Sequence, residues 1–274
     1  MSLRTSPRLA QALALGLLQG PAELLPISSS AHVALVPWLL GWDYGELDPE
    51  LRKEFEVALH AGTAAALLIV LRPEVGDFVR NRSPRLLTLV GLASAPAALI
   101  GYMLERPIER RLGTPATIAA GLLTGGAALA WADRTPESRA STDANTSDAL
   151  WLGFAQACAL VPGVSRSGAT LAAARRRGFG RTDARRLSQH VALPVLMGAA
   201  LLKGSRLCQR GLAPGTGAPL VAGLAASFAS TLASARLIRA VERDRSLLPY
   251  AAYRIALAAA VLRRLTAQPT TMPT

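Results

Sequence analysis

The sequence predicts an all-α, polytopic membrane protein whose helices are broken at defined points. Hydrophobic residues make up 51% of its 274 residues. They are gathered into blocks of roughly 16 to 25 residues, about the length of a helix that crosses a bilayer. The segments between the blocks are rich in arginine, and the formal net charge is +12. Because a nucleic-acid-binding domain seldom carries apolar blocks at this density, the composition indicates a bilayer and disfavours a nucleic-acid partner.

The apolar blocks, taken in order, define the predicted helices. The first runs from about 8 to 41 and is interrupted at Pro21 and Pro26, because proline removes a helical hydrogen bond. A later block, from about 150 to 174, is interrupted at Pro162 and Gly163. The uninterrupted blocks are rich in Ala, Leu, Val and Gly, and lie near 55–71, 86–104, 116–132, 191–207, 218–238 and 248–262.

Small residues recur at helical spacing in several of these blocks. Gly121 lies four positions before Gly125, and segment 222–235 is rich in alanine and serine. In membranes such residues let helices approach closely. We therefore predict that these positions are packing contacts.

The two interrupted blocks flank the long polar segment at the middle of the chain, residues 134–148. A short pattern recurs on its two sides: Gly16-Leu-Leu-Gln19 precedes the first break, and Gly153-Phe-Ala-Gln156 precedes the second. Non-helical backbone is tolerated in a membrane only where protein or a polar cavity surrounds it. We predict a single membrane domain over 1–274, divided into a pseudo-repeat at about 8–132, a linker at about 133–149, a second pseudo-repeat at about 150–264 and a tail at 265–274.

The first interrupted block carries polar residues that are costly in a membrane and are therefore candidates for function. Gln19 and Glu23 are four positions apart, which places an amide and a carboxylate on one face of a helix. After Pro26 the chain continues with His32 and three serines, Ser28, Ser29 and Ser30. Since serine favours the N-cap and a helix start presents free amide donors, the segment predicts an anion site.

The second interrupted block repeats this arrangement and adds a cation. Arg166 follows the break, and its planar guanidinium binds two phosphate oxygens at once. Gly168 allows a close approach of the backbone, and hydroxyls surround the arginine, from Ser165, Ser167 and Thr170. Carboxylate, imidazole, hydroxyls and guanidinium together are the groups from which phosphoryl-transfer sites are built.

Each of these residues also has a purely structural interpretation. Ser28 or Ser30 alone is more often an N-cap than a nucleophile. His32 alone is as readily a packed histidine, and Glu23 alone can be satisfied by a neighbouring helix. Their joint occurrence in one membrane block, echoed by Arg166 in another, favours a functional site.

Charge along the chain predicts how the ends are placed. The segment 175–186 holds six arginines against one aspartate, whereas 43–54 is net acidic, so the positive-inside rule places the first in the cytoplasm and the second outside.

His190 follows the arginines and is predicted at the interface. His60 and Thr63 lie in another apolar block, where structural and supporting roles stay equally open.

Two arginines precede the first block as in a signal peptide, but no convincing cleavage site follows, and we predict that the segment is retained.

Two runs resemble a known pair of signatures. The first is Gln19-Gly-Pro-Ala-Glu23-Leu-Leu-Pro26-Ile-Ser28-Ser29-Ser30-Ala-His32, and the second is Gln156-Ala-Cys-Ala-Leu-Val-Pro162-Gly-Val-Ser165-Arg166-Ser167-Gly168-Ala-Thr170. They are similar, in order and spacing, to those of the bacterial undecaprenyl-diphosphate phosphatase (bacitracin-resistance) family. Weaker likeness covers most of the chain, through Leu59-His60-Ala-Gly62-Thr63, Ala95-Pro96-Ala-Ala-Leu-Ile-Gly101 and Tyr253-Arg254-Ile255.

The resemblance implies an all-helical membrane fold with inverted-topology repeats and re-entrant helix pairs. It also implies a homodimer in the bacterial plasma membrane, with an active site that faces the periplasm or the cell exterior. The expected reaction removes the terminal phosphate of a polyprenyl diphosphate and depends on a divalent cation, Mg²⁺ or Ca²⁺. Such a reaction recycles the lipid carrier of cell-wall synthesis.

The resemblance also implies roles for single residues. Ser29 would be the nucleophile, with Glu23 and His32 as its acid–base or metal-organising partners, and Glu23 with Gln19 as metal ligands. Arg166 would clamp the diphosphate. The remaining matched residues would bind substrate around it: Ser28, Ser30, Ser165, Ser167, Gly168 and Thr170.

The sequence departs from the family pattern in three places. Gln19 stands where many members have glutamate, which removes a charge from the expected metal site. Ser30 and Ala31 replace a Thr-Gly pair and restrict the backbone slightly. The segment 175–190 is more basic than the pattern, and we interpret its arginines as anchors for lipid headgroups. The alternative function, suggested by broken helices in two repeats, is a transporter of a lipid or small anion.

Overall fold

The computed structural model describes residues 7–80, 84–210, 215–241 and 245–267, and it confirms the all-α prediction. Within these ranges no strand forms, and an isolated bridge pairs Arg139 with Phe179. Short 3₁₀ turns cover Asp43–Glu46 and Ser141–Asp143. The α-helices are, in order, α1 Leu9–Leu24, α2 Ser29–Leu40, α3 Pro49–Val70, α4 Arg72–Arg80, α5 Pro84–Leu112, α6 Pro115–Asp133, α7 Thr146–Cys158, α8 Arg166–Arg176, α9 Arg181–Arg210, α10 Gly217–Val241 and α11 Leu248–Ala267.

The helices have the length and the exposed apolar surface of a membrane protein. Among the described residues, three helices are long and apolar enough to cross a bilayer, over Leu87–Leu104, Pro115–Asp133 and Gly217–Arg236. Large apolar side chains face outward, and Leu99 and Tyr102 are 62% and 77% exposed. Lipid is the environment that covers so much apolar surface without cost.

The first interrupted block folds as two helices with a break at Pro26, as predicted. α1 ends at Leu24 and α2 begins at Ser29. The second interruption predicted in this block, at Pro21, is wrong, because Pro21 lies inside α1. Proline lacks an N–H group, but its carbonyl still accepts a hydrogen bond from the amide of Leu25 at 2.9 Å, so the helix continues past it.

The second interrupted block has the same form. α7 ends at Cys158 and α8 begins at Arg166. The residue before each second helix is a serine in the left-handed region, Ser28 with φ 76° and Ser165 with φ 67°. In the described ranges these are the only non-glycine residues with positive φ. Because this conformation is strained for a residue with a side chain, the surrounding structure must hold both turns in place.

Helices from the two halves of the chain interlock. α1 lies along α10 and α7 lies along α5, while α6 pairs with α11 and α3 contacts α9. The α1–α10 contact is close because α1 has glycine there: a Cβ added at Gly16 would lie 2.6 Å from the Cβ of Ala226. An exchange of partners is what two interlocking repeats would produce, and the inverted relation between the repeats stays a prediction.

The small residues of α6 are packing contacts, as predicted. Gly121 approaches the carbonyl of Pro162 in the second break. A Cβ added at Gly125 would lie 2.8 Å from the carbonyl oxygen of Val164 and 2.9 Å from the guanidinium carbon of Arg254. Glycine at these two positions lets α6 lie directly against the break between α7 and α8.

The arginine-rich segment is folded against the polar linker, and the interpretation of its arginines as headgroup anchors is wrong for three of them. Arg175 is 1% exposed and donates to main-chain carbonyls. Arg177 pairs with Asp148 at 2.6 Å, and Arg181 pairs with Asp133 at 2.7 Å. These contacts tie α8 and α9 to residues 133–148, so the arginines stabilise the protein itself.

This segment is also more helical than predicted. α8 runs on to Arg176, and α9 begins at Arg181, well before the apolar block expected at 191–207. Only a short turn around Gly178, with φ 85°, separates the two helices. The amides and carbonyls of this turn pair with Arg139 of the linker, which explains how the turn is stabilised.

Candidate active site

The two helix breaks bring a carboxylate, a hydroxyl and a guanidinium into direct contact. Ser29 Oγ donates to Glu23 Oε2 at 2.6 Å, and Arg166 Nη2 donates to Glu23 Oε1 at 2.9 Å. Glu23 and Ser29 are buried, and the Arg166 side chain is 18% exposed. Because each carboxylate oxygen has its own charge-assisted partner, Glu23 is held in one orientation.

The contact depends on the two breaks lying side by side. Ser167 Oγ, in the first turn of α8, donates to the carbonyl of Leu25 in the other break at 3.2 Å. Ser165 Oγ, predicted to bind substrate, caps α8 by accepting a main-chain amide at 3.2 Å. Ser28 precedes α2 without a side-chain cap, and its Oγ lies 3.3 Å from Ser30 Oγ.

A second arginine, to which the sequence interpretation gave no role, joins the two breaks. Arg254 of α11 is fully buried. Its guanidinium donates to carbonyl oxygens of Pro26 at 3.3 Å, Gly163 at 2.9 Å, Val164 at 2.7 Å and Gly121 at 3.4 Å. Since a helix break leaves carbonyls without helical partners, this cation satisfies them and fixes the breaks relative to each other. An arginine inside an apolar helix was the available signal.

His32, predicted as a partner of Ser29, is held by other groups. Its Nδ1 lies 2.7 Å from the carbonyl oxygen of Ser28, and its Nε2 lies 2.7 Å from the hydroxyl of Tyr253, whose ring stacks on it. Because a carbonyl only accepts, Nδ1 carries the proton, and Nε2 of the neutral ring accepts from Tyr253. Among the described residues no hydrogen bond joins His32 to Ser29, which leaves Glu23 as the group in contact with the serine.

Two of the residues expected to bind substrate, Thr170 and Gly168, make packing contacts next to the site. Thr170 is buried, and its hydroxyl lies 2.9 Å from the carbonyl of Arg166 and 2.6 Å from the hydroxyl of Ser188. A Cβ added at Gly168 would lie 2.6 Å from Nη1 of Arg254. Thr170 therefore fixes α8 against α9, and Gly168 makes room for the buried arginine.

A cavity begins at the Glu23–Arg166 pair and combines a polar end with apolar walls. Ser167 lines its polar end beside this pair. α9 contributes further polar residues at helical spacing, Arg185, Ser188 and Gln189. The apolar walls come from α3, α9 and α10 and include Leu67, Leu71, Leu193, Leu196 and Ile238. Such a lining suits a molecule with an anionic head and a long apolar tail.

The expected metal ligands, Gln19 and Glu23, are both buried on α1. Neither polar atom of the Gln19 side chain has a hydrogen-bond partner, which is uncommon for a buried amide. In the part of the chain that the structure describes, no group of three or more His, Cys, Asp or Glu side chains forms a closed metal cage. The pair offers one carboxylate and one amide oxygen, which are ligand types that Mg²⁺ accepts together with phosphate and water.

The other polar residues of the apolar blocks have supporting places. His60 is half-buried on α3, and its Nδ1 lies 2.7 Å from the carbonyl oxygen of Glu56. Thr63 is buried and pairs with the hydroxyl of Thr231 at 3.4 Å, which links α3 to α10. His190 is half-buried on α9.

Fold and site together define a class of protein, an all-helical membrane protein in which two broken helices hold a carboxylate, a serine and an arginine in contact beside an amphiphilic cavity. Over residues 12–260 the sequence matches the family described as bacitracin resistance protein BacA. The chain belongs to this family.

Curated relatives agree with this assignment. The undecaprenyl-diphosphatase of Geobacter sulfurreducens is 42% identical over 268 residues, which cover 93% of this chain and 97% of that protein. Those of Pelobacter propionicus and Trichlorobacter lovleyi are 40% and 39% identical, and each alignment covers 93% of this chain and 96% of the relative.

Proposed function

We propose that this protein is a membrane phosphatase that hydrolyses the terminal phosphate of undecaprenyl diphosphate, or a similar polyprenyl diphosphate, to the monophosphate and inorganic phosphate. The observation that carries the proposal is the contact of Glu23 with both Ser29 and Arg166 at the polar end of a cavity with apolar walls. Relatives named undecaprenyl-diphosphatase support the same substrate. In a bacterium this reaction recycles the lipid carrier of cell-wall synthesis.

We propose that Glu23 accepts the first proton. Its Oε2 already accepts a hydrogen bond from Ser29 Oγ at 2.6 Å, the arrangement of a general base and its nucleophile. Ser29 Oγ, or a water molecule activated by the same carboxylate, attacks the terminal phosphorus. The attacking oxygen passes its proton to Glu23. The bond from that phosphorus to the bridging oxygen breaks, and the polyprenyl monophosphate leaves with the electron pair. Where Ser29 is the nucleophile, water then releases phosphate from it.

Arg166 supplies fixed positive charge where negative charge develops. Its guanidinium lies beside the carboxylate and presents further N–H donors to the cavity, so it can bind phosphate oxygens while it orients Glu23. Donors that are held in place before the reaction stabilise a transition state more than donors that must reorganise. The break itself is held by Arg254, which makes that arginine a positioning residue.

The cation proposed for this family would be held by Glu23 and Gln19 together with phosphate oxygens. It would neutralise charge on the diphosphate, as divalent cations do in phosphoryl transfer. The orphaned amide of Gln19 and the single carboxylate of Glu23 are the observations that support this proposal.

The protein is a multi-pass membrane protein, and we place it in the bacterial plasma membrane as a homodimer with its active site facing the periplasm or the cell exterior. A transporter of lipid or small anions would also use broken helices. The family match and the names of the relatives favour hydrolysis instead. A transporter, moreover, gains nothing from a serine hydroxyl that donates directly to a buried carboxylate.

The test is release of inorganic phosphate from undecaprenyl diphosphate by the purified full-length protein in detergent. We expect turnover by the wild type, and a loss of kcat of at least about 100-fold in both Ser29→Ala and Arg166→Ala. Ser147→Ala and Arg186→Ala replace exposed residues of the same types and should keep wild-type rates. Full activity in Ser29→Ala and Arg166→Ala would refute the site, and substrate binding without turnover by the wild type would refute the proposed reaction.

A further inference from the structure

We infer that Arg185 is a second diphosphate-binding cation, which holds the phosphate that stays on the lipid. The inference rests on the proposed function and extends it to a residue outside the two signature segments. Arg185 lies on α9, and its side chain lines the same cavity as Glu23, Arg166 and Ser167.

A second guanidinium suits the charge of the ligand. A diphosphate carries negative charge on both phosphates, and arginine binds phosphate oxygens bidentately. Arg166 is already paired with Glu23 at 2.9 Å. Among the described residues that line the cavity, Arg185 is the other arginine, so it can bind the second phosphate beside any divalent cation held by Glu23 and Gln19.

The face of α9 places this cation correctly for an amphiphilic ligand. Arg185, Ser188 and Gln189 occupy positions i, i+3 and i+4, and the next turns on the same face carry Leu193 and Leu196, which also line the cavity. One helix thus leads from a guanidinium through polar groups to an apolar wall. A prenyl diphosphate has the same order of chemistry along its length.

The relation of α9 to α8 brings Arg185 near the reacting groups. Ser188 Oγ lies 2.6 Å from the hydroxyl of Thr170, which in turn lies 2.9 Å from the carbonyl of Arg166. Arg185 is one helical turn from Ser188, about 5 Å along the axis, a distance that the long arginine side chain spans. Since Arg166 contacts Glu23, which in turn accepts from Ser29, we assign Arg166 to the phosphate under attack and Arg185 to the lipid-linked phosphate.

The experiment compares Arg185→Ala, Arg185→Lys and the control Arg186→Ala in the phosphate-release assay on undecaprenyl diphosphate. Arg186 is the adjacent arginine of α9, is exposed and does not line the cavity. We expect Arg185→Ala to raise KM by about 10- to 100-fold with kcat within about threefold of the wild type, since a charge-assisted contact is lost. Lysine should restore part of the affinity, and Arg186→Ala should leave KM unchanged.

Product inhibition tells which phosphate is held. In Arg185→Ala, inhibition by undecaprenyl monophosphate should weaken about as much as KM rises, while inhibition by inorganic phosphate should stay at the wild-type level. Weaker inhibition by inorganic phosphate alone would overturn the assignment, as would equal effects in Arg185→Ala and Arg186→Ala, which would indicate a general surface-charge effect. A wild type that releases no phosphate refutes the proposed function. A wild type that turns over, beside an Arg185→Ala variant with unchanged KM, refutes only this inference.

Discussion

Arg254 shows how one buried side chain determines the geometry of the site. Four main-chain carbonyls from α6 and from both helix breaks accept hydrogen bonds from its guanidinium. Without it, the carbonyls of Pro26, Gly163 and Val164, which lie in the two breaks, would lose the side-chain donor that satisfies them. A buried acceptor left without a partner costs about 1–3 kcal/mol, so loss of this one residue affects several groups at once.

We expect Arg254→Met to lower the free energy of unfolding by about 3 kcal/mol or more, and to lower phosphatase activity at least about tenfold. Methionine fills much of the volume but donates no hydrogen bond. Thermal unfolding in detergent and the phosphate-release assay measure the two effects. Arg263→Met, an exposed arginine on the same helix, is the matched control. Wild-type activity in Arg254→Met would show that the breaks keep their relative position without this cation.

Sequence pattern identified the residues in contact at the site more readily than it identified what holds them there. Glu23, Ser29 and Arg166 stand out because polar groups inside apolar blocks are costly. Arg254 met the same criterion but lies outside the two serine-rich segments. Arg185 was counted with the basic segment, since nothing in its local pattern distinguishes a cavity residue from an exposed one. Only the packing of α9 against α3 and α8 makes that distinction.

The site forms at the helix breaks, and the break between α7 and α8 needs a neighbouring helix, α6, that can pack closely against it. Gly121 and Gly125 present no side chain to the second break, so the carbonyls of that break and the guanidinium of Arg254 occupy the space. The small-residue spacing predicted this close packing. The end of α1 could not be predicted in the same way, because Pro21 and Pro26 look alike in sequence, and only the second ends the helix.

Gly125→Ala tests this packing. The added methyl group would meet both the Val164 carbonyl and the Arg254 guanidinium, and overpacking of this kind costs about 1–3 kcal/mol. We expect lower thermal stability and a fall in kcat, since the second break carries Arg166. Gly91→Ala on α5 is the control, because its added Cβ would meet nothing within 4 Å. Equal stability and activity in the two variants would contradict the proposed role of the glycine.

The polar linker is held by charge, which makes its stability depend on pH. Asp148 is buried, and this opposes its ionisation, but hydrogen bonds from Arg139 and Arg177 outweigh burial and lower its pKa. A carboxyl group whose pKa is lower in the folded state stabilises the fold above its unfolded value of about 4, and loses this contribution as the pH falls through the folded pKa.

We expect Asp148→Asn to reduce the free energy of unfolding by about 3 kcal/mol at pH 7, because two arginines lose their partner. The difference from the wild type should shrink as the pH falls below about 4 and vanish below the lowered folded pKa of Asp148, where Asp148 itself is protonated. Unfolding in detergent across this pH range measures both values. The control Asp143→Asn, whose side chain is exposed and still able to cap Ala140, should change stability by about 1 kcal/mol or less. A pH-independent difference for Asp148→Asn would show that charge is not the cause.

The active site needs residues from both halves of the chain. α1 packs on α10 and α7 packs on α5, and the site forms where the break after α1 meets the break after α7. Neither half alone contains the Glu23–Arg166 contact. The sequence predicted this meeting from two similar segments placed half a chain apart, but it gave no information about which helices exchange partners, because that depends on surface shape.

Charge predicts how this molecule sits in the bilayer. The segment around Arg181 is rich in arginine, whereas segment 43–54 is net acidic, so the first should face the cytoplasm and the second the outside. In a variant without Cys158 and Cys208, we expect a cysteine in place of Glu50 to react with a membrane-impermeant maleimide in intact cells. A cysteine in place of Thr142, in the exposed linker, should react only after permeabilisation.

The same labelling decides from which side phosphate reaches the site. Ser30, in the first turn of α2 and next to Ser29, is exposed. If the active site faces outward, we expect Ser30→Cys to be labelled in intact cells. Failure to label Ser30→Cys from outside, with Glu50→Cys labelled, would contradict the outward-facing site while leaving the hydrolytic chemistry untouched.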